Sequence, residues 1–483
     1  MNSPDLTPEE IQACLKVLNT IHAYDDEHPD YVSVRRATGK MFKAVKRHRR
    51  VTKRDLIAES DRAVIARTAT AAPDRIDDET RGNKLEPSAT GKVAGHLIRS
   101  RPCYICKRHY TQVDSFYHQL CPECAAFNHS KRDARTDLAG RRALLTGGRA
   151  KIGMYIALRL LRDGAHTTVT TRFPKDAARR FAAMEDSAEW LHRLRIVGID
   201  LRDPSQVMAL TDSVSDAGPL DIIINNAAQT VRRSGNAYKP LADAEEEPLP
   251  PALEAANGGP ELVTFGHAHD KHPLALASSV LEHPVLAGDA VTSLALSTGS
   301  ASLERIAAGT AIDAGGLVPD LATINSWTQV VDEVDPLEML EVQLCNVTAP
   351  FLLVSRLREA MKRSTARRKY IVNVSAMEGQ FSRAYKGPGH PHTNMAKAAL
   401  NMMTRTSAQE MLETDGILMT AVDTGWITDE RPHYTKVRLM EEGFHAPLDL
   451  VDGAARVYDP IVMGEKGEDQ YGVFLKDYRP SPW

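Results

Sequence analysis

The sequence predicts an α/β protein built on a doubly wound parallel sheet, preceded by an N-terminal helical region and a small module carrying four cysteines. Three observations lead there. From Arg142 onward short apolar runs alternate with helical stretches, the pattern of buried parallel strands joined by crossover helices. The first of those strands runs into a glycine-rich turn, Ala143-Leu-Leu-Thr146-Gly147-Gly148-Arg149-Ala-Lys151-Ile152-Gly153, which opens a helix. Upstream, Cys103-Tyr-Ile-Cys106 and Cys121-Pro-Glu-Cys124 form two CxxC pairs fourteen residues apart.

At 483 residues the chain exceeds one ordinary domain of roughly 100 to 200 residues. Composition divides it into a helical region with a polar linker over 1–90, the cysteine module over 91–135, and the α/β domain over 136–483. A net charge of -3 and a pI near 6.6 give no global attraction for nucleic acid or an anionic membrane. No apolar run approaches the roughly 18 to 20 residues that span a bilayer, and the start MNSPDLTPEE lacks the basic and apolar regions of a signal peptide. A cytoplasmic location is expected, with neither membrane nor nucleic acid as a partner. Six cysteines are too few for a disulfide scaffold in so long a chain, and their clustering fits a reducing compartment and a metal.

In order along the chain, Thr7-Pro8-Glu9-Glu10 is a helix start, with Thr7 as cap and Glu10 where a capping box places a carboxylate. Ile11, Leu15, Leu18 and Ile21 then recur at helical spacing. The basic stretch Lys43 to Arg54 reads as a solvated helix face, and Ala71 to Ala94 as a loosely packed linker. Strands are predicted at Ala143–Thr146, Thr168–Thr171, Arg195–Ile199, Asp221–Asn225, Tyr370–Val374, Leu418–Val422 and Gly472–Leu475. Between the fourth and fifth, about 232–323 is rich in Pro, Gly, Ala and Glu, an insertion acting as a lid or a loose arm.

The two CxxC pairs present four sulfurs to one ion, and a tetrahedral Zn²⁺ takes four ligands about 2.3 Å away. Cys103, Cys106, Cys121 and Cys124 are therefore the expected ligands of a structural zinc, since four protein ligands leave no place for substrate. His109 and His118, between the pairs, are bystanders.

In the glycine-rich turn the missing side chains let the backbone approach a pyrophosphate, and the helix N-terminus supplies unpaired N–H groups. This turn resembles the TGxxxGxG loop of the short-chain dehydrogenases/reductases, a Rossmann-type family, with Gly147 and Gly153 kept and Lys151 at the middle glycine. Further matches follow in order. Asp200-Leu201 resembles the adenine-contacting pair, Asn225-Asn226-Ala227-Ala228 the turn after the fourth strand, Asn346 the helix asparagine of the catalytic set, and Lys397 the lysine on the nicotinamide ribose. The segment Val422 to Thr428 resembles the loop after the sixth strand, with Thr424-Gly425 in place of Pro-Gly and Thr428 near the carboxamide. The resemblance implies a coenzyme held by Thr146, Gly147, Gly148, Arg149, Lys151, Ile152, Gly153, Asn226, Ala227, Ala228, Gly425 and Thr428 as well. At the end of the second strand stand Thr171-Arg172 rather than an acidic residue, so a 2′-phosphate finds a guanidinium, and NADP(H) is expected over NAD(H).

The resemblance breaks where substrate would be met. The family's tyrosine, four residues before the lysine, is Thr393; its serine is Ala376, with Ser375 one place early. A threonine hydroxyl is a poor general acid near neutral pH. The loop Gly379 to Asn394 offers Tyr385, His390 and His392 as substitutes, with Glu378 to orient an imidazole. The set looks like a divergent branch of large members of the family. Three functions follow: an NADP(H)-dependent oxidoreductase acting on a small carbonyl or alcohol with relocated acid/base groups, a non-catalytic NADP(H)-binding regulatory or scaffold protein, or a non-redox lyase or hydrolase. The helices Leu337–Met361 and Asn394–Leu412 occupy the places where relatives pair, which implies a homodimer or homotetramer.

Overall fold

A computed structural model describes residues 6–72, 75, 85–233, 235–255, 258–265, 317, 322–428 and 430–483. Helix α1 (Pro8–Thr20) starts as expected, since the Thr7 hydroxyl accepts from the Glu10 amide and the Glu10 carboxylate accepts from the Thr7 amide. Its apolar stripe is not buried, however, and Ile11, Leu15 and Leu18 remain exposed. Helix α2 (Pro29–Ile65) carries the basic run as a solvent-facing surface, and only its last turns dock, through Asp61 and Ile65. Strands β1 (Val93–Pro102) and β2 (His109–Asp114) form an antiparallel pair, with the first CxxC turn between them. Helix α3 (Pro122–Arg132) begins at the second CxxC pair.

The rest is a nine-stranded sheet. Its strands are β3 (Arg142–Leu145), β4 (His166–Thr171), β5 (Leu194–Gly198), β6 (Ile222–Asn225), β7 (Glu261–Thr264), β8 (Lys369–Ser375), β9 (Ile417–Asp423), β10 (Phe474–Lys476) and β11 (Arg479–Ser481). The order is β11-β10-β9-β8-β6-β3-β4-β5-β7, parallel except for β11. Strand order thus reverses between β3 and β6, the switch point where open α/β sheets bind ligands. All seven predicted strands are present, within two residues at each end. Strand β7 was not predicted. It arises inside the proposed insertion and pairs with β5 as an edge strand; residues 266–316 and 318–321, where a lid or arm was expected, lie outside those described.

Helices α4 (Lys151–Arg162), α5 (Pro174–Ala182) and α12 (Leu450–Glu465) cover one face, burying Ile156, Leu160, Phe181, Val457 and Ile461 against Leu145, Val169, Ile224 and Val372. On the other face lie α6 (Pro204–Asp216), α9 (Ala349–Lys362) and α10 (Pro391–Asp415), with Leu210, Leu353, Leu357 and Met411 over Leu144, Ile223, Ile371 and Met419. Alternate residues of each strand thus feed opposite cores, as a sheet buried on both faces requires. Helix α7 (Gly235–Glu246) leans on α5, and α8 (Pro336–Gln343) continues through a π turn at Leu344–Thr348 into α9. The run Pro336–Lys362 is long and apolar enough for a membrane span, contrary to the sequence reading. Its burial of Val342, Leu353, Leu357 and Met361 is that of a core helix. Helix α11 (His433–Glu441) follows the loop after β9 in the chain.

Candidate functional site

The carboxyl ends of β3, β4, β5, β6, β8 and β9 open into one cavity of about 1040 Å³. At its floor the glycine turn is shaped by close backbone packing. A Cβ on Gly153 would sit 1.9 Å from the Gly147 carbonyl oxygen, and one on Gly148 would overlap the Val169 side chain at 2.6 Å. Asn226 stitches the turn, donating from Nδ2 to the carbonyls of Thr146 and Gly147 at 3.1 Å each, while the Thr146 hydroxyl accepts from the Asn226 and Ala227 amides. Thr146 therefore serves the loop's shape, and Asn226 both shapes the loop and lines the cavity together with Gly147, Arg149, Lys151, Ile152, Gly153, Ala227 and Ala228. Lys151 holds φ at +53°, the left-handed region that the glycine of the resembled loop enters freely.

One end of the cavity is cationic and aromatic. Arg172, following Thr171, lies 5.1 Å over the Tyr238 ring and donates to its hydroxyl at 3.3 Å. Arg149 sits 5.3 Å from the Phe173 ring and pairs with Asp176 at 2.5 Å. Asp200 and Leu201 line the wall. Burial pushes the Asp200 carboxyl up, but four contacts from Arg202, the shortest 2.6 Å, outweigh it and hold the group below the usual range. Tyr238, from the insertion, was missed by sequence reasoning because no motif marks it.

At the other end, Lys397 is buried and donates from Nζ to the Val374 carbonyl at 2.8 Å; burial lowers its pKa to about 8. Asn346 sits in the π turn, a bulge that re-aims a side chain within a helix. Its Oδ1 accepts from the Gln229 amide at 2.7 Å and its Nδ2 donates to the Gln229 carbonyl at 2.9 Å, fixing the turn after β6. Ala376, Thr393, Thr424, Gly425 and Thr428 line the same region.

The groups offered in place of the missing phenol stand elsewhere. Tyr385 is 73% exposed, and His390 stacks on Trp327 with centroids 3.9 Å apart while its Nδ1 meets the Trp327 carbonyl at 2.9 Å. His392 is buried in the first turn of α10, 3.4 Å from the Thr393 hydroxyl. None of the three lines the cavity among the described residues. Ser375 does, yet its hydroxyl donates to Asn401 at 2.7 Å, into the α10 packing. Carboxyl groups that the sequence did not single out as acids line the cavity instead, among them Glu378 and Asp423. Burial, with Asp477 and Glu378 nearby, raises Asp423 to about 6. Asp423 Oδ1 accepts from the Gly425 amide at 3.1 Å, and its Oδ2 has no hydrogen-bond partner among the described residues.

The four cysteines come together with all Sγ atoms within 4.8 Å, an arrangement able to hold a metal ion. Cys106 and Cys121 Sγ lie 3.7 Å apart, against about 3.8 Å for the edge of a tetrahedron with 2.3 Å bonds. The Cys121 amide donates to Cys103 Sγ at 3.3 Å, so the turn already directs an N–H at a ligand sulfur. Tyr104, Ile105 and Lys107 of this module also line the cavity, which the sequence gave no reason to expect.

The chain is similar to several known proteins. A family profile described as short chain dehydrogenase matches residues 141–247. An uncharacterized protein of Acanthamoeba polyphaga mimivirus is 31% identical over 385 residues, 76% of this chain and 72% of its own length. A peroxisomal 2,4-dienoyl-CoA reductase of Rattus norvegicus is 29% identical over 142 residues, which span 28% of this chain and 42% of the reductase. The crystal structure of a short chain dehydrogenase from Burkholderia cenocepacia in complex with NADP is 20% identical, covering 70% of this chain and 97% of that one with a TM-score of 0.42. With the glycine turn and Lys397 in one cavity at the switch point of a sheet of this order, the chain belongs to the short-chain dehydrogenase/reductase superfamily.

Proposed function

We propose that this protein is an NADP(H)-dependent oxidoreductase that reduces a small organic carbonyl or oxidises the matching alcohol. The observation that carries this reading is a single cavity with Arg149 and Arg172 at one end and Lys397 at the other, spanned by a glycine turn that opens a helix. The guanidiniums suit a 2′-phosphate, the backbone amides of the turn a diphosphate, and Lys397 the hydroxyls of a ribose. When bound, the coenzyme would supply or accept the hydride. Asn346 keeps the turn after β6 closed, and Lys397, with its pKa near 8, can gain or lose a proton near neutral pH at Nζ. Glu378 and Asp423 replace Tyr385, His390 and His392 as the acid/base candidates, because their carboxyl groups line the cavity.

The four-thiolate site is proposed to hold a structural Zn²⁺. The exposed Leu340, Phe351, Met395 and Met402 on α8, α9 and α10 support a homo-oligomer, and a cytoplasmic location is proposed with reduced thiols. A second reading, a coenzyme-binding protein without turnover, draws on Ala376 and Thr393 standing at both substrate-facing positions. The test is a titration of purified protein with NADPH and NADH by nicotinamide fluorescence, followed by NADPH consumption over a carbonyl panel. Tighter NADPH binding that reverses in Arg172→Glu, with turnover on one carbonyl class, supports the enzyme. Binding without turnover on any carbonyl supports the second reading, and absence of binding refutes both.

A further inference from the structure

The four-cysteine module and the loop after β9 are built into each other. Tyr104 lies between the first two cysteines, where its amide donates to the Gln119 carbonyl at 2.8 Å while the Lys107 amide closes the turn on the Cys103 carbonyl at 3.1 Å. The knuckle therefore fixes the ring, and the ring reaches the cavity. Its hydroxyl accepts a hydrogen bond from the Trp426 amide at 3.0 Å, in the segment that carries Gly425 and Thr428.

Packing repeats the link. Cys103, Cys121, Tyr117 and Leu120 share one buried cluster with Ile427 and Leu448, and Ile152 of the glycine turn packs against it. Gly425, at φ +77°, presses its backbone on Leu448, since a Cβ there would meet Leu448 Cδ1 at 2.6 Å. Arg75, from the N-terminal region, in turn holds the Leu448 and Ala446 carbonyls at 2.8 and 3.0 Å. Around this core the Tyr117 hydroxyl donates to Asp452 at 2.6 Å, Arg132 pairs with Asp449 at 2.5 Å and with Asp452 at 3.1 Å, and Arg456 donates to Asn128 at 2.9 Å. A tethered accessory module would not be joined through buried ion pairs, whose loss on one side leaves a charge without its partner.

We infer that the cysteine module is a wall of the coenzyme site, and that a metal bound by its four thiolates raises coenzyme affinity by fixing Tyr104 under the Trp426 amide. The inference rests on the NADP(H) reading given above and adds to it a role for the metal and a positioning residue, Tyr104. Four metal–sulfur bonds hold the Cys103–Cys106 turn; without them the turn keeps only its hydrogen bonds, and the 423–428 loop loses a fixed acceptor. Because coupling between two ligands is reciprocal, bound coenzyme must slow loss of the metal by the same linkage.

The test uses the full zinc-loaded chain. NADPH affinity is measured by fluorescence before and after zinc is withdrawn with a chelator, in wild type and in Tyr104→Phe, with zinc release followed by a metallochromic dye. Zinc withdrawal should weaken NADPH binding by about tenfold or more, and saturating NADPH should slow zinc release. Tyr104→Phe keeps the ring and the metal but removes the acceptor, so it should retain about one zinc per chain and bind NADPH about three- to tenfold more weakly. Equal NADPH affinity with and without zinc, with release unaffected by NADPH, would overturn the coupling while leaving the coenzyme reading intact. Zinc-loaded wild type that binds no NADPH would overturn the coenzyme reading and this inference with it. Should the chelated chain unfold, Tyr104→Phe decides alone, and unchanged affinity in it refutes the positioning role.

Discussion

Replacing Lys397 by methionine separates what this residue costs the fold from what it does in the cavity. The residue is 8% exposed, and its ammonium titrates near 8 against an ordinary 10.5 because burial disfavours the charge. At 1.36 kcal/mol for each pH unit between the two values, this is a penalty of about 3 kcal/mol at neutral pH. Methionine removes it and fills a similar volume, but gives up the hydrogen bond to the Val374 carbonyl and leaves that oxygen unmet, a loss of about 1 to 2 kcal/mol. The variant should therefore be about 1 to 2 kcal/mol more stable than wild type at pH 7 without coenzyme. The sign depends on pH. Between about 8 and 10.5 the unfolded wild type still binds a proton that the folded state has released, so wild type gains stability as pH rises through that window while the methionine variant does not. Its advantage should vanish near pH 9.5 and be reversed by pH 10.5. Urea unfolding of both proteins at pH 7 and 9.5, with equal m values, measures this. A methionine variant less stable at pH 7, or an advantage of the same size at both pH values, would refute the reasoning. NADPH binding should be weakened at least tenfold in the same variant, so that stability and function move in opposite directions.

Gly153→Ala places a methyl 1.9 Å from the Gly147 oxygen, and the turn must open to admit it; a loss of about 2 to 3 kcal/mol in urea unfolding and of detectable NADPH binding is expected. Lys151→Gly should relieve a left-handed backbone at φ +53° and stabilise by up to about 1 kcal/mol, read as a rise in Tm; a fall of similar size would show that the lysine side chain matters more than its strain. Asp423, raised to about 6 from 3.8 by burial, favours folding below about 4, and that contribution is lost as pH rises through 6. Asp423→Asn keeps the acceptor for the Gly425 amide, so it should match wild type near pH 4 and exceed it by about 2 kcal/mol at pH 7.5; parallel stability profiles across this range would contradict the assigned burial.

Much of the fold could be read locally. Six of the seven predicted strands followed from short apolar runs, because a parallel strand buried on both faces is mostly apolar, while β4 is carried by β-branched Thr and Val. The glycine turn followed from a strand, Thr146-Gly147-Gly148 and a helix in succession, and the cysteine cluster from two CxxC pairs whose spacing already constrains their geometry. Strand β7 was hidden because an edge strand with one neighbour needs little apolar content, and Glu261-Leu-Val-Thr264 lies in a segment whose Pro and Gly content reads as loop.

The sheet, the glycine turn and the cysteine quartet were legible in the chain because each rests on residues close together in it. Which proton-active groups face the cavity was set by packing between distant elements. Ser375 turns to Asn401, His390 lies flat on Trp327 and Tyr385 points to solvent, whereas Tyr238, Tyr104 and Asp423 converge from segments up to about 320 residues apart. Spacing along a chain fixes which face of a strand or helix a residue occupies; what lies opposite that face depends on how the elements pack, and on this point a titrating side chain in a polar loop carries no local signal.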